Sequence, residues 1–233
     1  MTTFKLKIIA LVTMLIDHMG AVIPEFFSFE PQGLNYFRVI GRLAFPIFVY
    51  LIAEGFRYTK NRAKYLARLF AFAIISQIPF ALAFNSQISF FADTNIFYTL
   101  FLGGAAIVVY EMFREKNIWT LVAVLPAIGF ALLAEFLTAD YGAYGVVFIF
   151  LMYVIKNFRP RLAAMAVLCL WQHEYTLELL INGYDVSTVR LLMIPATLVP
   201  VLLIFFYNGK PGIKMKWLFY IAYPAHLLIL SLL

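Results

Sequence analysis

Apolar stretches of about twenty residues follow one another along the sequence, separated only by short clusters of charge, Pro, Gly and Asn. At about 1.5 Å per helical residue, each stretch matches a hydrocarbon core about 30 Å thick. Cutting at the clusters gives nine candidate spans, roughly 5 to 24, 34 to 56, 63 to 84, 95 to 113, 118 to 137, 142 to 156, 161 to 180, 189 to 207 and 215 to 232. Composition agrees: 64% hydrophobic and 13% charged residues lie outside the range of soluble domains. These features predict an all-α, polytopic membrane helical bundle of about nine transmembrane helices, with one domain over residues 1–233. The first span carries Asp17 and His18 and no small-residue cleavage site, so it reads as a mature helix rather than a signal peptide. The one cysteine, Cys169, excludes an intramolecular disulfide and reads as a small packing residue.

A net charge of +6 would suit a nucleic-acid partner or an anionic membrane surface, and the placement of the charge decides between them. Alternate loops collect Lys5 and Lys7; Arg57, Lys60, Arg62, Lys64 and Arg68; Arg114 and Lys116; Lys156, Arg159 and Arg161; and Lys210, Lys214 and Lys216. That is 15 of the 18 basic residues on one side. The opposite loops hold Glu25, Glu30, Asp93, Asp140, Glu174, Glu178 and Asp185, with Arg190 as a basic exception. The positive-inside rule then predicts a cytoplasmic N-terminus and an outer C-terminus. The excess charge is accounted for by topology in the lipid bilayer, and no nucleic-acid partner is expected.

Six charged or titratable residues belong to no loop: Asp17 and His18 in the first span, Arg38, Arg42 and Glu54 in the second, and His226 in the last. An ionisable group in hydrocarbon is costly unless it is paired or hydrated, so such residues face one another or a cavity. His18 lies about 16 Å above Lys7, His226 about 15 Å above Lys216, and Arg42 about 10 Å in from the outer end of its helix. All three reach the middle to outer part of the core. Gln77 and Asn95 are candidates for the same polar layer, as is Tyr223 beside His226. Arg38 and Arg42 share a helix face and suit either Asp17 or a substrate anion. A plain structural use exists for each: an Arg/Asp lock between two helices, a satisfied histidine, or a Glu54 paired with a neighbouring base. His173 falls in an external loop and is expected to be solvated.

Lys7 and His18 are eleven residues apart, and eleven steps of 100° return almost to the same helix face. A cation and an imidazole three turns apart suit a long ligand with an anionic head at the cytoplasmic surface and a reactive end near the histidine. Coenzyme A thioesters have that shape. No HExxH, GxSxG or P-loop pattern occurs, and the three histidines lack ligand spacing, so no metal site is expected.

The segments "FKLKIIALVTMLIDHMGAVI", "FRVIGRLAFPIFVYLIAEGFRYTKNRAKYLARL", "DYGAYGV" and "FYNGKPGIKMKWLFYIAYPAHLLIL" together resemble the TraX family of bacterial membrane proteins. The resemblance implies a pilin N-terminal acetylase in the bacterial cytoplasmic membrane, moving an acetyl group from acetyl-CoA to a terminal amine. Lys7, ten intervening residues and His18 are also similar to an arrangement in the transmembrane acyltransferase-3 family, in which that histidine is taken to be catalytic. Many members of that wider family carry arginine where this chain has Lys7. The expected mechanism has Lys7 with Arg57, Arg62, Lys64, Arg68, Lys210 and Lys214 holding the donor's phosphates. His18 is the expected general base, Arg42 or Arg38 pairs with Asp17, and those arginines or a side-chain amide stabilise the thioester oxyanion. Direct transfer and an acetyl-histidine intermediate both remain open. The rival from another class is a proton-coupled transporter or channel using the buried Asp/His/Arg layer, against which stands the lack of paired broken helices. A purely structural component of a conjugation or secretion apparatus would keep its function in His18→Ala and Arg42→Ala. The acetyltransferase reading expects both substitutions to abolish acetylation, measured in cells that carry each variant in place of the wild-type chain.

Overall fold

The structure, a computed structural model, describes residues 1–23, 35–84, 86–116, 120–213 and 215–233. Among the described residues there are helices and no strands: α1 (Thr3–Val22), α2 (Tyr36–Gly41), α3 (Ala44–Tyr58), α4 (Arg62–Ala83), α5 (Ile96–Glu115), α6 (Thr120–Phe136), α7 (Gly142–Val154), α8 (Phe158–Trp171), α9 (Glu174–Ile181), α10 (Thr188–Phe205) and α11 (Lys216–Leu230). Hydrocarbon offers no hydrogen-bond partner to a backbone amide, so an apolar chain of this kind must satisfy its backbone within each helix. Polar side chains cap several helix starts: Asn35 Oδ1 accepts from Arg38 N at 3.2 Å, Asn61 Oδ1 from Lys64 N at 2.7 Å, and Asn95 Oδ1 from Phe97 N at 3.0 Å.

Among the described residues, four segments are long and apolar enough to cross a membrane: Tyr36–Tyr58, Arg62–Ala83, Ile96–Glu115 and Thr188–Phe205. Three shorter apolar helices, Val122–Phe136, Gly142–Val154 and Trp217–Leu230, accompany them. Each expected span coincides with helix, but two are divided. In the second, Pro46 has no N–H to offer the carbonyl of Arg42, and the chain turns there before α3 begins. The amides of Arg42 and Leu43 bond instead to the carbonyls of Val39 and Ile40, both at 3.2 Å. The span expected at 161 to 180 is two helices, with a turn at Gln172 and His173 across which Trp171 Nε1 donates to Glu174 Oε2 at 2.7 Å. Unbroken spans were expected here, and the paired glutamates of α9, both exposed, give the physical reason for stopping the apolar helix at Trp171.

The chain forms two compact units, one of residues 1–48 with 157–233 and the other of residues 49–156. In the first, α1 packs on α2 and α11, and α10 on α2 and α8. Cys169 is buried in this unit as a packing residue. In the second, α5 is the central helix, packed against α4, α6 and α7. Its run Gly103, Gly104, Ala105, Ala106 explains why: small residues let helices approach closely where no hydrophobic effect drives them together. A Cβ on Gly103 would come within 2.7 Å of Ile149 in α7, and one on Gly104 would meet the ring of Phe56 in α3. Gly129 in α6, by contrast, has nothing within 4 Å of its would-be Cβ. Gly103→Val is therefore expected to cost about 1–3 kcal/mol through overpacking. Gly129→Ala should hold stability or raise it by up to about 1 kcal/mol through helix propensity, and thermal unfolding in detergent separates the two.

Candidate functional site

Asp17 stands near the C-terminal end of α1, and its carboxylate lies over Gly41, where a Cβ would collide with it. Two guanidinium groups from the α2 segment close on it: Arg38 Nη1 donates to Oδ2 at 2.5 Å and Arg42 Nη2 to Oδ1 at 3.3 Å. One α-helical turn separates the two arginines, so they reach the same carboxylate from one face, and Arg42 Nε also donates to the Arg38 carbonyl at 3.1 Å. The expected Asp17 pairing thus involves both arginines. Asn35, which the sequence pattern does not single out, adds a second tie: its Nδ2 donates to the Gly20 carbonyl at 2.8 Å, and it is 1% exposed. Gly20 makes room for this, because a Cβ there would run into Asn35 and Phe37.

On the face of α1 toward α11, His18 Nδ1 and His226 Nε2 are 2.5 Å apart. Their ring planes lie within 12° of each other with centroids 4.8 Å apart, so the two rings meet edge to edge through these nitrogens, and Tyr223 stands edge-on to both, at 5.9 Å from His18 and 5.6 Å from His226. The hydrogen-bond network assigns the tautomers. His226 Nδ1 lies 2.7 Å from the carbonyl oxygen of Ala222, which only accepts, so this nitrogen carries the proton and donates. In the neutral ring His226 Nε2 is then an acceptor, and His18 Nδ1–H is its donor. The lone pair of neutral His18 therefore resides on Nε2. An imidazole held in one tautomer by a second histidine and a main-chain carbonyl is a positioned base.

Three turns below, Lys7 lies on the same stripe of α1 and faces the same neighbour, with Nζ 5.1 Å from the centroid of Phe219 in α11. The start of α1 is fastened to the loop after α10. Thr3 N donates to the Lys210 carbonyl at 2.9 Å and Phe4 N to the Pro211 carbonyl at 3.1 Å, filling two amides that a helix start leaves open. Thr3 Oγ1 and the Tyr207 hydroxyl are 2.8 Å apart. Gly212 allows this closeness, with φ at +69° and Thr2 and Phe4 each 2.9 Å from its would-be Cβ. Lys210 thereby sits at the lysine-bearing end of α1, while Lys214 lies outside the described residues.

The other candidates lie in the second unit and serve one another. Glu54 pairs with Arg57 at 3.3 Å, as expected of a neighbouring base. Arg57 also caps the end of α7, its Nη2 donating to the carbonyls of Met152, Tyr153 and Ile155 at 2.8, 2.5 and 2.9 Å. Arg62 donates to the Tyr153 hydroxyl at 3.2 Å, Arg68 covers the ring of Tyr65, and Lys64 is exposed. Gln77 and Asn95 form a buried lock between α4 and the start of α5. Gln77 Oε1 accepts from Asn95 N and Nδ2 at 3.0 and 2.7 Å, and Gln77 Nε2 donates to the Asp93 carbonyl at 3.0 Å. Each of these two side chains is thus a hydrogen-bond partner of the other. His173 differs from expectation: it is 7% exposed, not solvated, because the turn between α8 and α9 folds it inward, within reach of the Arg42 charge. Among the described residues no group of three or more His, Cys, Asp or Glu is placed to hold a metal ion.

Comparison with known proteins places these observations in a family. The model of the TraX protein family matches residues 3–233. The probable fimbrial assembly protein FimC, serogroup H1, of Dichelobacter nodosus is 30% identical over 247 residues, which cover 98% of this chain and 94% of the relative. An uncharacterized protein, RP591, of Rickettsia prowazekii (strain Madrid E) is 25% identical over 225 residues, covering 91% of this chain and 83% of the relative. No solved structure matches. With the family model matched along nearly its whole length and a relative at 30% identity covered almost end to end, the chain belongs to the TraX family.

Proposed function

We propose that this chain is an integral-membrane acetyltransferase of the bacterial cytoplasmic membrane. Its acyl donor is cytoplasmic acetyl-CoA, and its acceptor is an amine or hydroxyl reached from the outer side. Family membership and the fimbrial relative favour the N-terminal amine of a pilin subunit as that acceptor. The observation that carries the proposal is the chain from His18 through His226 to the Ala222 carbonyl, which leaves the basic lone pair on His18 Nε2. The N-terminus and the lysine- and arginine-rich loops lie in the cytoplasm and the C-terminus outside.

In the reaction, Lys7 and Lys210 hold the donor's phosphates as point charges at the cytoplasmic end of α1. The thioester reaches the histidines about three turns higher. The acceptor nitrogen attacks the thioester carbonyl carbon while His18 Nε2 takes its proton. The C–S bond then breaks, the sulfur leaves as thiolate, and His18 returns the proton to it, giving the N-acetyl product and coenzyme A. Charge that develops on the carbonyl oxygen is met by Arg38, whose side chain at 29% exposure is the more open of the two on Asp17. Asp17 holds that guanidinium in place. A second reading, proton-coupled transport through the same buried layer, draws on the interruption of the second span at Arg42 and Leu43.

Acetyl-CoA binding and slow hydrolysis by detergent-purified protein separate the two readings. His18→Ala is expected to keep binding and lose hydrolysis by about 10²–10⁴-fold, the ordinary contribution of a general base. Lys7→Ala should weaken binding with little change in maximal rate, and His226→Ala should lower the rate while leaving donor affinity unchanged. A well-folded wild-type preparation that binds no acetyl-CoA would overturn the acetyltransferase proposal and turn attention to proton-coupled transport.

A further inference from the structure

The cytoplasmic ends of α3, α5 and α7, all in the second unit, border a cavity of about 210 Å³ that the proposed reaction does not use. Arg57, Tyr110, Glu111, Arg114, Tyr153 and Lys156 line it, three cations against one carboxylate. The surrounding contacts make the wall rigid. Arg57 is pinned by the α7 carbonyls and Glu54, and its guanidinium stands 5.7 Å from the ring centroid of Tyr153. Glu111 is drawn back by Arg114 at 3.2 Å and Arg62 at 3.9 Å, so its charge is answered within the protein. Lys156 is exposed at the rim and makes no ion pair among the described residues.

Two further features describe the occupant. The volume lies below the range of about 300–1,000 Å³ typical of sites for whole organic ligands, which suits a compact phosphate-bearing head rather than an entire coenzyme A. Large apolar side chains stand exposed beside the lining residues, Tyr58 next to Arg57 at 77% and Met112 next to Glu111 at 50%. A soluble anion has no use for them. Basic pockets between helices at the cytoplasmic surface are suited to anionic lipid headgroups.

We propose that this cavity between the ends of α3, α5 and α7 binds the phosphate headgroup of an anionic phospholipid from the cytoplasmic leaflet, with the acyl chains lying along the apolar surfaces beside Tyr58 and Met112. The site stands apart from the acetyltransferase proposal and does not depend on it.

The test uses native mass spectrometry of the full chain in detergent, titrated with phosphatidylglycerol or phosphatidylcholine. Phosphatidylglycerol should bind more tightly, and Lys156→Gln should weaken it about five-fold, the ordinary contribution of one cation near an anionic surface. The double variant Arg114→Gln/Lys156→Gln should weaken it further, with phosphatidylcholine unaffected. Lys60→Gln, on an exposed cytoplasmic residue outside the cavity, should change nothing. Thermal unfolding of each variant checks the fold, and Lys156→Gln breaks no ion pair among the described residues, so it reports on the site even if the double variant is unstable. Equal binding of the two lipids, or an equal loss in Lys60→Gln, overturns the proposal. Displacement of phosphatidylglycerol by millimolar inorganic phosphate or by micromolar coenzyme A overturns the lipid assignment in favour of a soluble phosphate or the acyl donor.

Discussion

A carboxylate at the depth of Asp17 has to be answered by positive charge, and in this chain that requirement governs how the first two spans meet. Arg38 and Arg42 close on one carboxylate that rests over the bare backbone of Gly41. Removing one partner of such a pair leaves a buried charge, at a cost of about 3–5 kcal/mol. The ion cluster therefore fixes the rotation of α1. Once Asp17 faces α2, the residue beside it, about 100° round the helix, is turned to a different neighbour. That residue is His18, and the neighbour is α11.

The same rotation sets the chemistry. His18, Tyr223 and His226 come together against the stripe of α1 that also carries Lys7, so a single helix presents a cation near its N-terminal end and an oriented imidazole three turns along it. The lysine end is anchored by the Lys210 loop, and the histidine end by the Ala222 carbonyl. Anchoring at both ends matters for a base, because a ring without a fixed tautomer would spend part of its time offering a proton where a lone pair is needed.

Much of this was legible before any coordinates. The helical period alone put Lys7 and His18 on one face and Arg38 and Arg42 on another, because side-chain direction along a regular helix follows from spacing. Depth arithmetic brought His18 and His226 to similar levels, though only packing could show that they touch. What the sequence hid was of two kinds. Hydropathy summed over a span runs past local interruptions, such as the turn at Gln172 and His173 ahead of the exposed glutamates of α9, and with the turn went the burial of His173. Competition for partners was hidden as well. Arg57 looks like a phosphate ligand in a basic loop, yet three carbonyls at the end of α7 claim its guanidinium. Gln77 and Asn95 look like open members of a polar layer, yet each is the other's hydrogen-bond partner.

The two histidines stand 208 positions apart, with the whole of the second unit encoded between them. At about 5–20 residues per second of synthesis, the ribosome needs about 10–40 s to travel from one to the other. Over nearly all of that interval the nascent chain already carries Asp17, Arg38 and Arg42 but still lacks His226, the partner that fixes the tautomer of His18. A polypeptide released early lacks the His18–His226 pair altogether, so the meeting of the two rings doubles as a record that synthesis has reached α11.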